Sequence, residues 1–364
     1  MALRIVYACI ARDEEPHLAR HLESLQRNGG IADSYLVCVD EATTDRTAEV
    51  AAALGARVEH SRFEGSIAVL RQAAADLAAE SADVVVMLDP DEVLAGDPAK
   101  VRAELEQGWA EGVRIFHIAE DYEYDDYGDC TLAFNRYVAW GPAEVRFIFH
   151  HHETLIGRKG PVPERVLTSA TMEHRPIKKP QDKPRVFHAA ARRSYEAHPK
   201  NPRSVFYLGY EHVRSKFWPE AVGAFETTLR MSENPALRLR AQELLAESHR
   251  MLGDRKRERA VLLEALGEHA SIRDPYIWLC EAAGRARTWI EACAWGEAAL
   301  AIPLGPQVDR GHWRPHYYRH HPHDLLAIAY YRAGDKARGR LHLDRALEYQ
   351  PGNKRLLENR RFFD

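Results

Sequence analysis

Apolar and polar positions follow two rhythms in the first third of the chain. Short apolar runs such as LRIVYACI (3–10) alternate with stretches in which apolar residues recur every three or four positions. The runs predict buried strands at 3–10, 34–40, 56–60 and 83–88, and the stretches predict helices at 14–28, 44–54 and 67–80. Such alternation is typical of βαβ units, so we expect a helix-covered sheet with parallel strands.

The pattern then changes twice. Residues 113–174 contain β-rich pieces, among them EVRFIFHHH (144–152), without a helical period, and prolines then punctuate the stretch 176–202. Almost all of the chain beyond residue 202 has a helical period of apolar positions. We therefore predict an α/β domain at 1–185 and an all-α domain at 186–364.

The helical part repeats itself. Small residues recur at corresponding places in four units, for example Gly209 and Ala221 in the first and Gly334 and Ala346 in the last. This is the tetratricopeptide pattern, in which small residues let paired helices pack closely. Because the third unit, around 278–303, fits the pattern poorly, a non-repetitive helical bundle is the alternative.

Composition narrows the class of protein. The chain has 364 residues, of which 45% are hydrophobic, and a net charge of −4, so it has ample apolar surface for folding and no overall attraction to nucleic acid or anionic membrane. The apolar run 5–10 is too short for a membrane span or a signal segment, and we expect a cytoplasmic protein. Five cysteines without a CxxC pair predict neither a disulfide framework nor a cysteine zinc site.

Acidic residues follow three of the predicted strands. The clearest case is VVVMLDPDEVL (84–94), where Asp89, Asp91 and Glu92 come directly after a buried run. Carboxylates at the carboxyl edge of a sheet can hold Mg²⁺ or Mn²⁺, and such an ion completes its shell with phosphate oxygens and water. The alternative for these residues is a solvated acidic turn.

Four segments resemble the family 2 glycosyltransferases of the GT-A fold, in order and approximate spacing. They are VDEATTDRT (39–47), LRQAAADLA (70–78), MLDPDEVL (87–94) and FHHHETL (149–155). Together with the repeats, they are most similar to the subgroup that includes peptide S-glycosyltransferases. The resemblance implies a GT-A nucleotide-diphospho-sugar transferase fold, with a Rossmann-like mixed sheet, followed by the tetratricopeptide domain.

The resemblance also implies roles for individual residues. Asp40 would contact the nucleotide base, Arg71 the donor phosphates or sugar, and Asp89 the ribose or the metal. Asp91 would bind the metal directly, and His152 would be its second protein ligand. An aspartate and an imidazole suit Mn²⁺ and leave positions for phosphate oxygens.

Some positions depart from the family pattern. Ala42 stands where the family has glycine, which puts the turn beside Asp40 in question, and Gln72 stands where it has asparagine. Pro90 separates the two aspartates and favours an extended Asp89, in agreement with a strand that ends there.

An inverting transferase needs a base that accepts the proton of the acceptor. Asp121, directly after a predicted strand, and Glu153, directly after His152, are our candidates. The loop EDYEYDDYGDC (120–130) that begins beside Asp121 could instead be a mobile acidic lid. Farther on, RPHYYRHHPHD (314–324) lacks the spacing of a zinc finger, and we expect its histidines to lie at the surface of a repeat insertion.

The sequence therefore predicts a metal-dependent, inverting glycosyltransferase that moves a hexose from a nucleotide-diphosphate sugar, with UDP as the expected nucleotide. The acceptor stays open among a peptide, a protein, a glycan and a modified nucleobase, and the repeats are available for a protein partner or self-association. A GT-A domain without catalysis, serving as an interaction scaffold, is the alternative. A dehydrogenase or a nucleotidyltransferase is disfavoured, because IARDEEP (10–16) lacks the glycines that a phosphate-binding loop needs after the first strand.

Overall fold

The computed structural model describes residues 3–150, 152–177, 184–304 and 313–363. Its residue contacts divide the chain into two compact units. The first unit comprises Met1–Tyr122 and Phe134–Pro199, and the second comprises Glu123–Ala133 and Lys200–Asp364. The predicted division into domains after residue 185 stays a prediction.

In the described part of the first unit, eight strands form one sheet and two form a small separate sheet. The strands are β1 (Ile5–Ala11), β2 (Ser34–Asp40), β3 (Arg57–Ser61), β4 (Val84–Met87), β5 (Glu92–Gly96), β6 (Ile115–Tyr124), β7 (Cys130–Trp140), β8 (Val145–Ile148), β9 (Thr154–Gly157) and β10 (Glu164–His174). The order in the large sheet is β3-β2-β1-β4-β7-β6-β10-β5, and β8 pairs with β9.

The large sheet is mixed. Strand β1 runs parallel to β2 and β4, and β3 continues the parallel part beside β2. In the other half, β7 is antiparallel to β4, β5 is antiparallel to β10, and β10 is parallel to β6. The carboxyl ends of β1, β2 and β4 therefore share one edge of the sheet, where ligands of such folds commonly bind.

Helices cover both faces of this sheet. They are α1 (Glu15–Gln26), α2 (Thr47–Ala53), α3 (Ile67–Ala79) and α4 (Pro98–Ala110). The unit also contains α5 (Pro184–Ala197). Alternate residues of β1 point to opposite faces, as pleating requires. Tyr7 belongs to the buried cluster that contains residues of α1 and α4, whereas its neighbour Ala8 belongs to the cluster that contains residues of α3.

Two sequence-based expectations about this unit were incomplete or wrong. Helix α4 and strand β5 were not predicted. The predicted strand over EVRFIFHHH ends at Ile148, because Phe149 and His152 adopt left-handed backbone angles, with φ of 68° and 49°. His150 and His152 therefore do not lie on a strand, and His151 lies outside the described residues.

The second unit consists mainly of helix pairs. Its α-helices are α6 (Pro202–Arg214), α7 (Trp218–Met231), α8 (Pro235–Met251), α9 (Arg255–Glu268), α10 (Asp274–Ala286), α11 (Trp289–Ala301), α12 (His320–Ala333), α13 (Lys336–Tyr349) and α14 (Lys354–Asn359). The first eight form four successive pairs whose members contact each other, and each pair corresponds to one predicted repeat. The prediction of repeated helix pairs is thus confirmed.

The histidine-rich segment differs from expectation. It forms the short 3-10 helix Pro315–Tyr318 and the first turn of α12. His320 is buried and its neighbour His321 is partly buried, so the expectation of surface histidines was wrong. Within the described part of the chain, no helix has the length and apolarity that crossing a membrane would require.

Candidate functional site

A tight turn follows the buried strand β4. The backbone N–H of Glu92 donates to the Asp89 carbonyl at 3.0 Å, and the Asp89 N–H donates to Glu92 Oε2 at 2.9 Å. Glu92 is buried, and its carboxylate stabilises the turn from inside. Asp89 and Asp91 are left partly exposed at the edge of the sheet.

A buried arginine joins two of the predicted site residues. Arg71 Nη2, from α3, donates to both carboxylate oxygens of Asp89, at 2.5 and 2.7 Å. The same guanidinium pairs through Nη1 with Glu153 Oε1 at 2.7 Å. The structure therefore brings together Arg71, Asp89 and Glu153, which lie up to 82 positions apart in the sequence.

This arrangement keeps Arg71 and Asp89 charged. Burial opposes the charged form of Arg71, but Asp89 and Glu153 outweigh it and raise the pKa of the guanidinium. Burial would likewise raise the pKa of Asp89, yet the charges of Arg71 and Arg136 lower it. Asp89 is consequently an ionised carboxylate with cationic partners.

Arg136 on β7 is a second guanidinium at the site. Its Nη1 pairs with Glu92 Oε1 and lies 3.5 Å from Glu120 Oε2, and its Nη2 lies 3.6 Å from Asp89 Oδ2. Sequence reasoning did not single out Arg136. The available signal was a lone arginine within the otherwise apolar and aromatic segment FNRYVAW (134–140), which reads as a strand.

Glu120 on β6 is the exception among these carboxyls. It is 1% exposed, and neither of its side-chain oxygens accepts a hydrogen bond from the described residues. Burial is the main reason why the pKa of Glu120 rises from 4.5 to about 8; His174 opposes this rise, and the negative charges of Asp89 and Asp91 add to it. Glu120 therefore holds a proton at neutral pH.

The predicted base Asp121 is the next residue on the same strand. Because successive side chains of a strand point to opposite faces, Asp121 faces away from the side on which Glu120 meets Arg136. Glu153, the other predicted base, is buried and engaged by Arg71. Both assignments as the base stay predictions.

Asp91 has an imidazole neighbour that the sequence did not indicate. His174 Nε2, at the end of β10, lies 3.4 Å from Asp91 Oδ2, while its Nδ1 donates to the Tyr122 carbonyl at 3.0 Å. Burial opposes both charges, but the contact lowers the pKa of Asp91 to about 2 and raises the pKa of His174. The register that sets His174 opposite Glu92 on β5 creates this pair.

The predicted metal pair, Asp91 with His152, stays a prediction. Asp91 suits a divalent cation, because its carboxylate is ionised and partly exposed. His152 lies in the left-handed turn beside Glu153, and Glu153 is connected to Asp89 through Arg71. Asp89 and Asp91 in the turn after β4, and His152 in the turn before β9, are the residues that could hold a cation here.

Asp40 lies at a cavity of its own, after β2. The cavity has a volume of about 250 Å³ and is lined by Arg12, Asp40, Glu41, Ala42, Arg62 and Phe63. Arg12 Nη1 lies 3.7 Å from Asp40 Oδ2, and Asp40 Oδ1 accepts the Ala42 N–H at 3.0 Å. Ala42 is not among the residues with positive φ, so alanine fits a turn at which the family has glycine.

Gln72, the other departure, has a structural role. Its side-chain oxygen accepts the backbone N–H of Phe147 on β8 at 3.0 Å, and its amide nitrogen donates to Asp76 at 2.8 Å. His150 is held similarly, since its N–H donates to Ser194 Oγ at 2.8 Å and its Nδ1 lies 3.1 Å from Ser66 Oγ. These contacts fix the segment that leads to His152.

Comparison with known proteins covers the helical part of the chain. No family model matches the chain. No curated protein matches it either. Among solved structures, the chain is similar to YrrB, described as a TPR protein with an unusual peptide-binding site, at 17% identity over 49% of this chain and 82% of that chain, with a TM-score of 0.37. It is also similar to MamA, at 15% identity over 45% of this chain and 86% of that one, with a TM-score of 0.37. MamA from Desulfovibrio magneticus is similar at 13% identity over 48% of this chain and 89% of that chain, with a TM-score of 0.38.

Proposed function

We propose that the first unit is a GT-A glycosyltransferase domain that moves a hexose, with inversion, from a nucleotide-diphosphate sugar to an acceptor. The observation that carries the proposal is the ion-paired group of Arg71, Asp89 and Glu153. These residues come from three of the four sequence segments that resemble the family, and a shared site is a reason for all three to occur together. UDP is the proposed nucleotide.

The cavity beside Asp40 supports a donor site. Phe63 offers an aromatic face and Asp40 a carboxylate acceptor, which together suit a nucleotide base, while Arg12 and Arg62 offer positive charge to phosphates. Asp91 would hold Mn²⁺ or Mg²⁺, with Asp89 and His152 as the other candidate ligands. The bound cation would offset the charge of the departing diphosphate.

The proton of the acceptor needs a receiving group. Asp121 and Glu153 are the proposed bases, whereas Glu120, with a pKa of about 8, already holds a proton at neutral pH and suits a donor better than an acceptor of the proton. Glu153 is already engaged by the guanidinium of Arg71 at 2.7 Å.

The alternative is a domain without catalysis that serves as an interaction scaffold. Its supporting observation is that Asp89 and Asp91 already have cationic partners, Arg71 and His174. In that case the helix pairs would carry the function by binding a protein partner or a second copy of the chain.

Calorimetric titration separates the two possibilities. We expect the full chain to bind a UDP-hexose in the presence of Mn²⁺ and not after removal of the metal by a chelator. Asp91→Asn should weaken this binding at least about tenfold, since it removes one of the few protein ligands of the cation. Asp76→Asn, an exposed position on α3, is the control and should bind normally. No metal-dependent binding by the unmodified chain, across a panel of nucleotide sugars, would contradict a transferase and favour the scaffold.

The acceptor remains to be identified among peptides, proteins, glycans and modified nucleobases. Incubation with the donor that binds, followed by mass spectrometry of candidate acceptors, would reveal a hexose as added mass. The helix pairs are the proposed site for positioning a protein acceptor.

A further inference from the structure

A second group of charged residues lies within the second unit. It consists of Asp125 and Asp129, in the turn between β6 and β7, and His320, the first residue of α12. One potential ligand atom from each of them lies within 4.8 Å of the others. We call these three residues the hairpin cluster.

Each aspartate of the hairpin cluster has one oxygen already fixed. Asp125 Oδ1 accepts the backbone N–H groups of Tyr127 and Asp129 at 2.9 and 3.0 Å. Asp129 Oδ1 pairs with Arg319 Nη2 at 3.1 Å. These contacts orient the carboxylates and direct the two Oδ2 atoms toward a common point, as outer contacts of metal ligands commonly do.

His320 faces the same point. It is 9% exposed, its Nδ1 lies 3.7 Å from Asp129 Oδ2, and its Nε2 lies 3.8 Å from Asp125 Oδ2. In the described part of the chain, Nδ1 has no hydrogen-bond partner.

Gln350 at the end of α13 occupies the space between the carboxylates. Its Nε2 donates to Oδ2 of Asp125 at 2.6 Å and to Oδ2 of Asp129 at 2.8 Å. Asn353 Nδ2 donates to Gln350 Oε1 at 2.7 Å and thereby fixes the orientation of the amide. Two carboxylates thus share one neutral donor where a cation would interact more strongly.

We propose that Asp125, Asp129 and His320 bind Zn²⁺ or a similar divalent transition-metal ion, and that Gln350 moves aside to admit it. One zinc ion can bind only one ring nitrogen of His320, and the candidate is Nδ1, which lies 3.7 Å from Asp129 Oδ2. Ligand atoms about 2.0 to 2.2 Å from a zinc ion lie roughly 3 to 4 Å apart, in agreement with this distance. Two carboxylates with one imidazole favour Zn²⁺ over Mg²⁺ or Ca²⁺, which prefer oxygen ligands alone. The ion would join the hairpin turn to α12 and stabilise the second unit.

Equilibrium dialysis of the full chain against Zn²⁺ tests the proposal. The Asp91→Asn variant is the parent, so that a cation at the proposed donor site does not contribute and the outcome is independent of the proposed transferase. We expect one zinc ion per chain in this parent. Asp129→Asn and His320→Gln should each weaken binding at least about tenfold, because each removes one of three protein ligands.

His321→Gln is the matched control. The Nε2 atom of this neighbouring histidine contacts Glu281 at 2.9 Å and the residue is not one of the three proposed ligands, so its replacement should leave zinc binding unchanged. Gln350→Leu should retain binding, because it removes only the competing amide. Circular dichroism identifies any variant that fails to fold. If Asp129→Asn does not fold, the comparison with the parent is made with His320→Gln instead. Absence of stoichiometric zinc in the parent, or equal binding by the folded cluster variants and the parent, would overturn the proposal.

Discussion

Two guanidinium groups, Arg71, which is buried, and Arg136, which is partly buried, pair with the carboxyls of the candidate site in the first unit. Arg71 and Arg136 between them contact four carboxyls, those of Asp89, Glu92, Glu120 and Glu153. Breaking such a buried pair by removal of one partner is strongly destabilising, because the other charge remains buried. The acids of this site thus depend on arginines from α3 and β7 for their burial.

Glu120 differs from the other acids, since burial determines its protonation, and this has a consequence for stability. The folded chain holds this proton up to about pH 8, whereas the unfolded chain releases it near 4.5. The unfolded state therefore binds fewer protons between these values, and the free energy of unfolding must fall as the pH rises through that range.

Glu120→Gln should remove this dependence, because glutamine resembles the protonated acid. From about pH 5.5 to about pH 8.5, we expect the free energy of unfolding of the variant to rise relative to the unmodified chain by about 3 kcal/mol. Urea denaturation at the two pH values measures the change. Glu23→Gln on the exposed face of α1 is the control and should run parallel to the unmodified chain. Parallel behaviour of Glu120→Gln itself would mean that Glu120 is ionised when folded.

At the scale of elements, local pattern predicted most of the fold. The parallel strands and helices α1 and α3 have clear periods, and their bounds lie within two residues of the predicted ones. Strand β5 was missed because it is short and follows the acidic turn directly. Helix α4, which follows β5, was missed as well. The left-handed residues Phe149 and His152 were also missed, since nothing local in FHHHETL requires a strand to stop there.

The candidate site was predicted less completely than the strands, because some of its residues come together only through the register in which distant strands pair. Arg71, Asp89 and Glu153 could be found because each lies in a segment that resembles a family. His174 and Arg136 reach the site only through the pairing of β10 with β5 and of β7 with β4, which depends on the whole sheet. A single sequence contains no signal for such contacts beyond polar residues in strands.

Two glycines in the first helix pair of the repeats, Gly209 and Gly223, test how closely the helices pack. Their replacement by alanine should change the free energy of unfolding in opposite directions. A Cβ added at Gly209 on α6 would lie 2.9 Å from Ala224 Cβ and 3.0 Å from Phe225 Cε1, both on α7. We expect Gly209→Ala to lower the free energy of unfolding by roughly 1 to 3 kcal/mol, as overpacking commonly does. Urea denaturation, followed by helical circular dichroism, measures this loss.

Gly223 on α7 is the matched control, because a Cβ there would have no other atom within 4 Å. Alanine at this position should stabilise the helix by roughly 0.5 to 1 kcal/mol through its higher helix propensity. The same denaturation experiment applies. Equal effects of the two substitutions would show that close packing at Gly209 does not limit the approach of α6 and α7.

At the scale of the whole molecule, the two units are not two successive halves of the chain. Residues Glu123–Ala133, which comprise the end of β6, the turn after it and the start of β7, are flanked in sequence by the first unit but belong to the second. The sequence suggested an acidic loop there, and local pattern could not reveal that Asp125 and Asp129 have partners about 190 to 225 positions later. This arrangement is a property of tertiary structure alone.

Separate hydrophobic clusters in the two units predict two thermal transitions in calorimetry, because chains with several cores depart from two-state unfolding. Gly209→Ala should lower the transition temperature of the second unit and so identify its transition.

A UDP-hexose with Mn²⁺, at about 100 times its dissociation constant, should stabilise the other unit by about 2.7 kcal/mol, which corresponds to a rise of roughly 5 to 10 °C in its transition temperature. Asp91→Asn should reduce that shift to about half or less at the same ligand concentration and leave the response to Gly209→Ala intact. If ligand and glycine substitution moved one common transition, the units would unfold together and donor binding would stabilise the whole chain.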